Sequence, residues 1–297
     1  MRLLGPAEST APPIHVAAFK ALDRMLVVRS EAPEIIEYLN AVYHHLRTEG
    51  PSSGAIDTGR IGGADAEPWL FFNDEPVEHR ETGADTTFRR AFYGSGTLFR
   101  RSLRLNAEWH SLYGAALRLG DRAILISAQS GIGKTTLALE LMRRGAKFYS
   151  DELAFVHKRD RLVSGLPRTL MIRERTFSVF DDPRLVQACR ASTPRAPYGD
   201  RVWDTIDPAA VFGDDIFASP APLAATLLLE RTSSTTATVE RLAAGVAAAD
   251  LTQRLNTATT GFPRFSDAAA IMSGVPCFRI AARSPQAAAD ALEGLLA

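Results

Sequence analysis

Apolar residues in this chain fall mostly into short runs separated by polar turns, and in a few stretches they recur at helical spacing. Near the N-terminus, Arg24 to Val28 predicts a short strand. Beyond it, Ile35, Ile36, Leu39, Val42, Tyr43 and Leu46 follow one another at the spacing of one helix face, with Ser30 placed to cap that helix. Residues 49–66 carry five glycines with serines and a proline, which predicts a mobile loop, and Pro68 to Phe72 predicts the next strand. Between 88 and 104, Phe88, Phe92, Tyr93 and Phe99 interleave with Arg89, Arg90, Arg100, Arg101 and Arg104. An element with one core face and one solvated arginine face gives that pattern, and so does a basic aromatic surface for nucleic acid or an acidic peptide; the first is preferred. Residues 1–105 therefore read as an N-terminal α+β subdomain with a small sheet.

From residue 106 the pattern turns α/β, and residues 106–297 read as a second domain. The apolar run Ala123-Ile124-Leu125-Ile126 predicts a strand, and a helix over about Lys134 to Arg144 stacks Leu137 and Leu141 on one face, with Gly145 placed to end it. Ala146 to Ser150 predicts the next strand. Phe155-Val156 and Leu162-Val163, parted by the polar turn His157 to Arg161, predict a hairpin. Leu223 to Glu230 and Cys277 to Ala281 predict further strands, and Ser284-Pro285 opens a last helix by serine at the cap and proline in the first turn. Arg190 to Arg201, with Pro194, Pro197, Gly199 and three arginines, has no period and reads either as a mobile substrate loop or as a plain surface connection.

Between that first strand and that helix lies Ala128-Gln-Ser-Gly-Ile-Gly-Lys-Thr-Thr136, in the strand, loop, helix context of a phosphate-binding loop. Ser130, Gly131, Ile132, Gly133, Lys134, Thr135 and Thr136 are the candidate nucleotide-binding residues. The glycines let backbone N–H groups turn inward toward a phosphate, and the helix brings its positive dipole end to the same anion. Lys134 supplies charge for the β- and γ-phosphates, and the Thr135 hydroxyl suits the Mg²⁺ that accompanies ATP. Ala128 stands where G-x-x-x-x-G-K-[ST] begins with glycine. Asp151 and Glu152 follow Lys134 by 17 and 18 residues, one helix and one strand away, where a Mg²⁺ ligand or a catalytic base belongs.

Composition narrows the setting. Lys plus Arg (34) equals Asp plus Glu (34), so no global charge draws the chain to nucleic acid or to an anionic membrane. Cys189 and Cys277 form neither a disulfide framework nor a zinc signature, which fits a reducing cytoplasm. No apolar run has the length of a membrane span, and Met1-Arg-Leu-Leu-Gly-Pro6 lacks the apolar core of a signal peptide. The expectation is a cytoplasmic protein, with a homo-oligomer left open.

The segment from Ala128 through the loop, Leu-Ala-Leu-Glu-Leu-Met-Arg-Arg-Gly-Ala-Lys-Phe-Tyr-Ser and on to Asp151-Glu152 resembles the HPr serine kinase/phosphorylase superfamily, itself similar to phosphoenolpyruvate carboxykinases. It is most similar to HPr-kinase-related proteins, including the kinases of lasso-peptide precursors. These share G-K-[ST]-T-L, an R-G helix ending and S-D-[DE], and some carry Ala at the first loop position. The likeness extends to Pro167-Arg168 and Arg173, similar to P-R-x-L-x-x-R, and to the Val275-Pro276 strand and last helix. It implies a P-loop kinase core over 106–297 that transfers the γ-phosphoryl group of ATP to a hydroxyl of a peptide, protein or small molecule. Under it, Lys134 and Asp151 are catalytic, Asp151 as general base. Thr135, Asp151 and Glu152 would serve Mg²⁺, and Arg168 and Arg173 would steady phosphate or substrate. Where the family often has histidine in L-H-[AG]-A-A-L, this chain has Leu112-Tyr113-Gly114-Ala115-Ala116-Leu117, so a proton-relay role at that position is in question; His110 reads as structural. The competing readings are a nucleotide-binding regulatory protein with little catalysis and carboxykinase-like chemistry, the latter disfavoured because no second metal-binding Lys/His constellation precedes the loop.

Overall fold

The computed structural model describes residues 15–49, 54–64, 67–77, 87–180, 182–191, 196–198, 201–255 and 265–296. The chain divides into two compact units, Met1–Leu105 and Asn106–Ala297. The first contains β1 (His15–Ala21), β2 (Arg24–Ser30), α1 (Pro33–Val42), β3 (Ala55–Ala64), β4 (Glu67–Phe72), β5 (Glu75–Pro76) and α2 (Thr87–Arg104). Its sheet runs β1-β2-β3-β4-β5, with β2 and β3 parallel across α1 and the other pairs antiparallel. Leu98, Phe99 and Leu103 of α2 are buried while Arg101 and Arg104 are exposed, the core-face reading of that segment; the side chains of residues 87–95 lie outside the described ones. The rings of Phe19, Tyr43 and Phe99 meet in the core.

Three expectations for this unit are corrected. The glycine-rich stretch is a strand inside the sheet over residues 55–64, not a loop. Its glycines make room for large neighbours: a Cβ on Gly62 would come within 2.5 Å of the Trp69 ring, and one on Gly59 would collide with Leu98. Ser30 does not cap α1. Ala32 holds the cap position with Pro33 entering the first turn, and the Ser30 hydroxyl accepts the Ala32 N–H at 3.1 Å, shaping the approach to the helix. The helix also stops at Val42, so Leu46 is buried from a separate short 3₁₀ turn.

The second unit begins with β6 (Trp109–Tyr113), β7 (Ala115–Leu119), β8 (Arg122–Ser127), α3 (Lys134–Arg143), β9 (Lys147–Ser150), β10 (Leu153–His157) and β11 (Leu162–Gly165). It continues with β12 (Leu170–Arg173), α4 (Glu174–Phe177), α5 (Pro183–Ala191), β13 (Ala196–Tyr198), β14 (Arg201–Ile206) and α6 (Pro208–Phe212). It ends with β15 (Ala221–Arg231), β16 (Thr238–Leu242), α7 (Ala244–Leu255), α8 (Phe265–Met272), β17 (Cys277–Ala282) and α9 (Pro285–Leu296). The fold is α/β: β8, β15 and β17 lie parallel at the centre, β7 and β16 pair antiparallel with β8 and β17, β9 pairs antiparallel with β7 and so runs in the direction of β8, and the ribbon β6-β10-β11 joins through the start of β15. Alternate residues of β8 enter opposite cores. Ile124 and Ile126 pack with Leu137 and Leu141 of α3 and Leu292 of α9, while Ala123 and Leu125 pack with Ala247 of α7 and Ile271 of α8. The predicted hairpin 155–163, the strand at 221–231 and the last helix are all present, the Ser284 hydroxyl accepting the Ala287 N–H at 3.2 Å. Within the stretch from Arg190 to Arg201, the residues described belong to regular elements rather than to a loop. Its described residues end α5 and form β13 and the start of β14, in a three-stranded sheet β12-β14-β13.

Candidate active site

The phosphate-loop sequence folds as strand, loop and helix. Gly131 (φ +84°) and Gly133 (φ +123°) take left-handed backbone conformations that strain any residue with a Cβ. Gly133 occupies the N-cap of α3 and no side chain caps the helix, so the N–H groups of its first turn face the loop. Ala128 is 2% exposed and packs in the same core as Ile126 and Leu137, so its methyl group fills space that glycine would leave empty. At its other end α3 stops where Gly145 turns left-handed at φ +98°. Beside it Glu140, fully buried, accepts hydrogen bonds from Arg143 and Arg144, and Arg144 reaches on to Asp290 and Glu293 of α9.

The chain leaving α3 returns as β9 and delivers Asp151 and Glu152 beside the loop. The turn is shaped by Ser150, whose hydroxyl accepts the N–H groups of Glu152 and Leu153 at 3.3 and 3.0 Å. Gly114 fastens the same turn from the neighbouring strand, its N–H meeting the Glu152 carbonyl at 3.0 Å. These two residues serve the site without being anticipated as part of it. The serine was visible in S-D-E, whereas the glycine could be found only through strand pairing.

Within the site, the Lys134 ammonium donates to the main-chain carbonyl of Asp151, and the Thr135 hydroxyl donates to Asp151 Oδ2 at 3.2 Å. Arg168, itself buried, pairs with Glu152 and stands 3.7 Å from Asp151 Oδ1. Asp151 is 4% exposed, yet its Oδ1 is buried with no hydrogen-bond partner among the described residues. Burial pushes the Lys134 ammonium below its ordinary range; Asp151 and Glu152 pull it back, Arg168 adds to the fall, and the net direction is down. Arriving phosphate charge would offset that cost. A hydroxyl and an open carboxylate oxygen side by side are the hard oxygen donors Mg²⁺ selects, so the residues present fit the ion.

Curated proteins align with part of the chain. The HPr kinase/phosphorylase of Pediococcus pentosaceus is 35% identical over 66 residues, and that of Limosilactobacillus reuteri is 39% identical over 62. Over these segments the chain is similar to HPr kinase/phosphorylases. The matched segments span about one fifth of the length of these relatives, 21% and 19%. No protein-family profile matches the chain. The solved Hpr(Ser) kinase/phosphatase from Coxiella burnetii aligns with 62% of this chain and 92% of that one, at 11% identity and a TM-score of 0.33.

The structure gathers Lys134, Thr135, Asp151, Glu152 and Arg168 at one place. Arg173 sits five residues beyond Arg168 at the end of β12, where it precedes α4 and lies opposite Trp203 in the strand register. Tyr113 ends β6 with its ring near Lys134, the ammonium 5.2 Å from the ring centre. His110 pairs with Asp267 of α8 at 2.9 Å, three residues from Tyr113 along β6 and so on the opposite side of the strand. Cys277 is buried and free, and its sulfur accepts a hydrogen bond from the Thr226 hydroxyl. No described helix is long and apolar enough to cross a membrane.

Proposed function

We propose that residues 106–297 form a kinase that transfers the γ-phosphoryl group of Mg-ATP to a hydroxyl, with Ser or Thr of a peptide or protein as the acceptor. The observation that carries this reading is the buried Asp151 oxygen without a hydrogen-bond partner among the described residues, held against the phosphate loop through Lys134 and Thr135. The loop N–H groups and Lys134 bind the triphosphate. Asp151 accepts the proton of the attacking hydroxyl, Glu152 orients a metal ligand or water, and Arg168 holds Glu152 in place while facing the transferred phosphate. Thr135 and Asp151 would hold Mg²⁺, which when bound neutralises charge on the phosphate oxygens. Chemistry of this kind needs positioning and charge more than covalent steps, and a stiff turn beside a helix N-terminus provides both. A reducing cytoplasm suits the free Cys277.

A peptide or protein acceptor is favoured over a small molecule because the aligned relatives are named for HPr. Incubation with radiolabelled ATP and panels of seryl peptides, proteins and polyols tests the reading. Label transfer to a peptide or protein hydroxyl that disappears in Lys134→Ala supports it. Transfer to polyols alone moves the acceptor to small molecules, and ATP binding without transfer to any member favours a regulatory nucleotide-binding protein.

A further inference from the structure

The aromatic ring beside the phosphate-loop lysine is the feature that the proposed transfer leaves unexplained. Tyr113 stands at the end of β6 in register with Leu153, immediately after the acidic turn. Its neighbour Gly114 is pinned from two sides. The Gly114 N–H binds the Glu152 carbonyl, and a Cβ on Gly114 would lie 2.7 Å from the Ile126 carbonyl at the end of β8. The corner between β6 and β7 therefore has little freedom, and the backbone that carries the ring is tied to both the strand that feeds the loop and the turn that carries Asp151. Into the space between them comes Lys134, half-buried, with its ammonium on the Asp151 carbonyl and 5.2 Å from the Tyr113 centroid.

An ammonium group has three donors and a full charge, and the Asp151 carbonyl takes one donor. An aromatic face offers the charge a favourable quadrupole and has no charge of its own, so it does not add to the repulsion from Arg168. A histidine at position 113, once protonated, would add to it. We propose that Tyr113 is a positioning residue: its ring holds the Lys134 ammonium beside Asp151, so that the charged tip meets the incoming triphosphate already in place. The inference rests on the nucleotide-binding reading above.

Calorimetric titration of the full chain with Mg-ATP tests it across Tyr113→Phe, Tyr113→Leu, Tyr113→Ala and a series with progressively fluorinated phenylalanine at the same position. Tyr113→Phe should bind within about two-fold of the natural chain, because the ring remains. Leucine and alanine should weaken binding by about 3- to 30-fold, the range of a cation–π contact from exposed to desolvated. Fluorination withdraws charge from the ring face at nearly constant shape, so affinity should fall stepwise along the series even if the leucine or alanine chain folds poorly. A flat fluorination series, tight binding by Tyr113→Leu, tighter binding by Tyr113→Ala, or a phenylalanine variant as weak as alanine each overturns the proposal. Lys134→Ala separates the two readings. If it binds Mg-ATP like the natural chain, nucleotide binding through Lys134 is wrong; if it loses binding while Tyr113→Leu retains it, Tyr113 alone is misassigned.

Discussion

Each of the two units buries an aspartate, and the two are treated in opposite ways. Asp57 in the N-terminal unit is 1% exposed and saturated: Arg24 grips both its oxygens at 2.8 Å, Ser102 donates to Oδ2 at 2.6 Å and Asn73 to Oδ1 at 3.0 Å. Asp151 in the second unit is 4% exposed, receives one threonine hydroxyl on Oδ2, and keeps Oδ1 without a hydrogen bond among the described residues. Leaving a buried carboxylate oxygen without a hydrogen bond costs on the order of 1–3 kcal/mol or more, and at Asp151 Oδ1 the Arg168 guanidinium 3.7 Å away opposes that cost through its charge. The saturated acid is a fastener joining β2, β3, the β4–β5 turn and α2. The open one is the group for which the base role is proposed.

The largest expected effect tests that contrast on activity. Asp151→Asn should lower phosphoryl transfer by about 10²- to 10⁴-fold, the usual worth of a positioned base, while Mg-ATP still binds and thermal stability stays level or rises. Unchanged turnover would remove Asp151 from the base role, and a large loss of stability would place it with Asp57 among the fasteners.

The mirror experiment is Asp57→Ala. It leaves the Arg24 guanidinium, whose side chain is only 14% exposed, without its counter-charge, and should cost the N-terminal unit about 3–5 kcal/mol in chemical denaturation. Mg-ATP affinity in the second unit should be unaltered; a parallel loss there would mean that Asp57 supports the site as well as its own unit. A smaller loss, about 1–3 kcal/mol, is expected for Gly62→Ala in the same unit, because the new methyl group must push the Trp69 ring aside.

The same contrast decides what could be read from the sequence. The open site was legible because it is local: the loop, its helix and the acidic turn occupy residues 128–152, and hydrophobic period, glycine spacing and charge all bear on one short stretch. The fastener was not, since Asp57 meets Arg24 from 33 residues away and Ser102 from 45, and nothing in the local pattern announces either partner. Strand β3 was hidden for a related reason. Its glycines weaken the local strand signal, and they are accounted for only by Leu98 and Trp69 elsewhere in the chain. Pro197 likewise argues for a loop, but among the described residues β13 pairs only with β14, and an edge strand accommodates proline. Tyr113 was noticed as a departure from a family pattern, and its partner Lys134 emerged only once β6 was paired with β10.

Glu140 tests whether saturation alone marks a fastener, because this fully buried acid lies on the helix of the phosphate loop itself. Burial by itself pushes its carboxyl up, but hydrogen bonds and charge from Arg143 and Arg144 outweigh that and hold it below the usual carboxylate range. A carboxyl lowered in the folded state contributes stability that is complete above its unfolded value and is lost as pH falls through the folded one, so the window lies below about pH 4.5. In that window the natural chain should lose stability more steeply than Glu140→Gln. At neutral pH the substitution should cost only about 1 kcal/mol, since the amide retains part of the bonding. Thermal unfolding of both chains across pH 3 to 7 measures the difference. Parallel curves would show that Glu140 adds nothing through its charge. A Glu140→Gln chain of normal stability but weakened Mg-ATP binding would show that the tie through Arg144 to α9 sets the geometry of the loop, and that a saturated acid can also serve function.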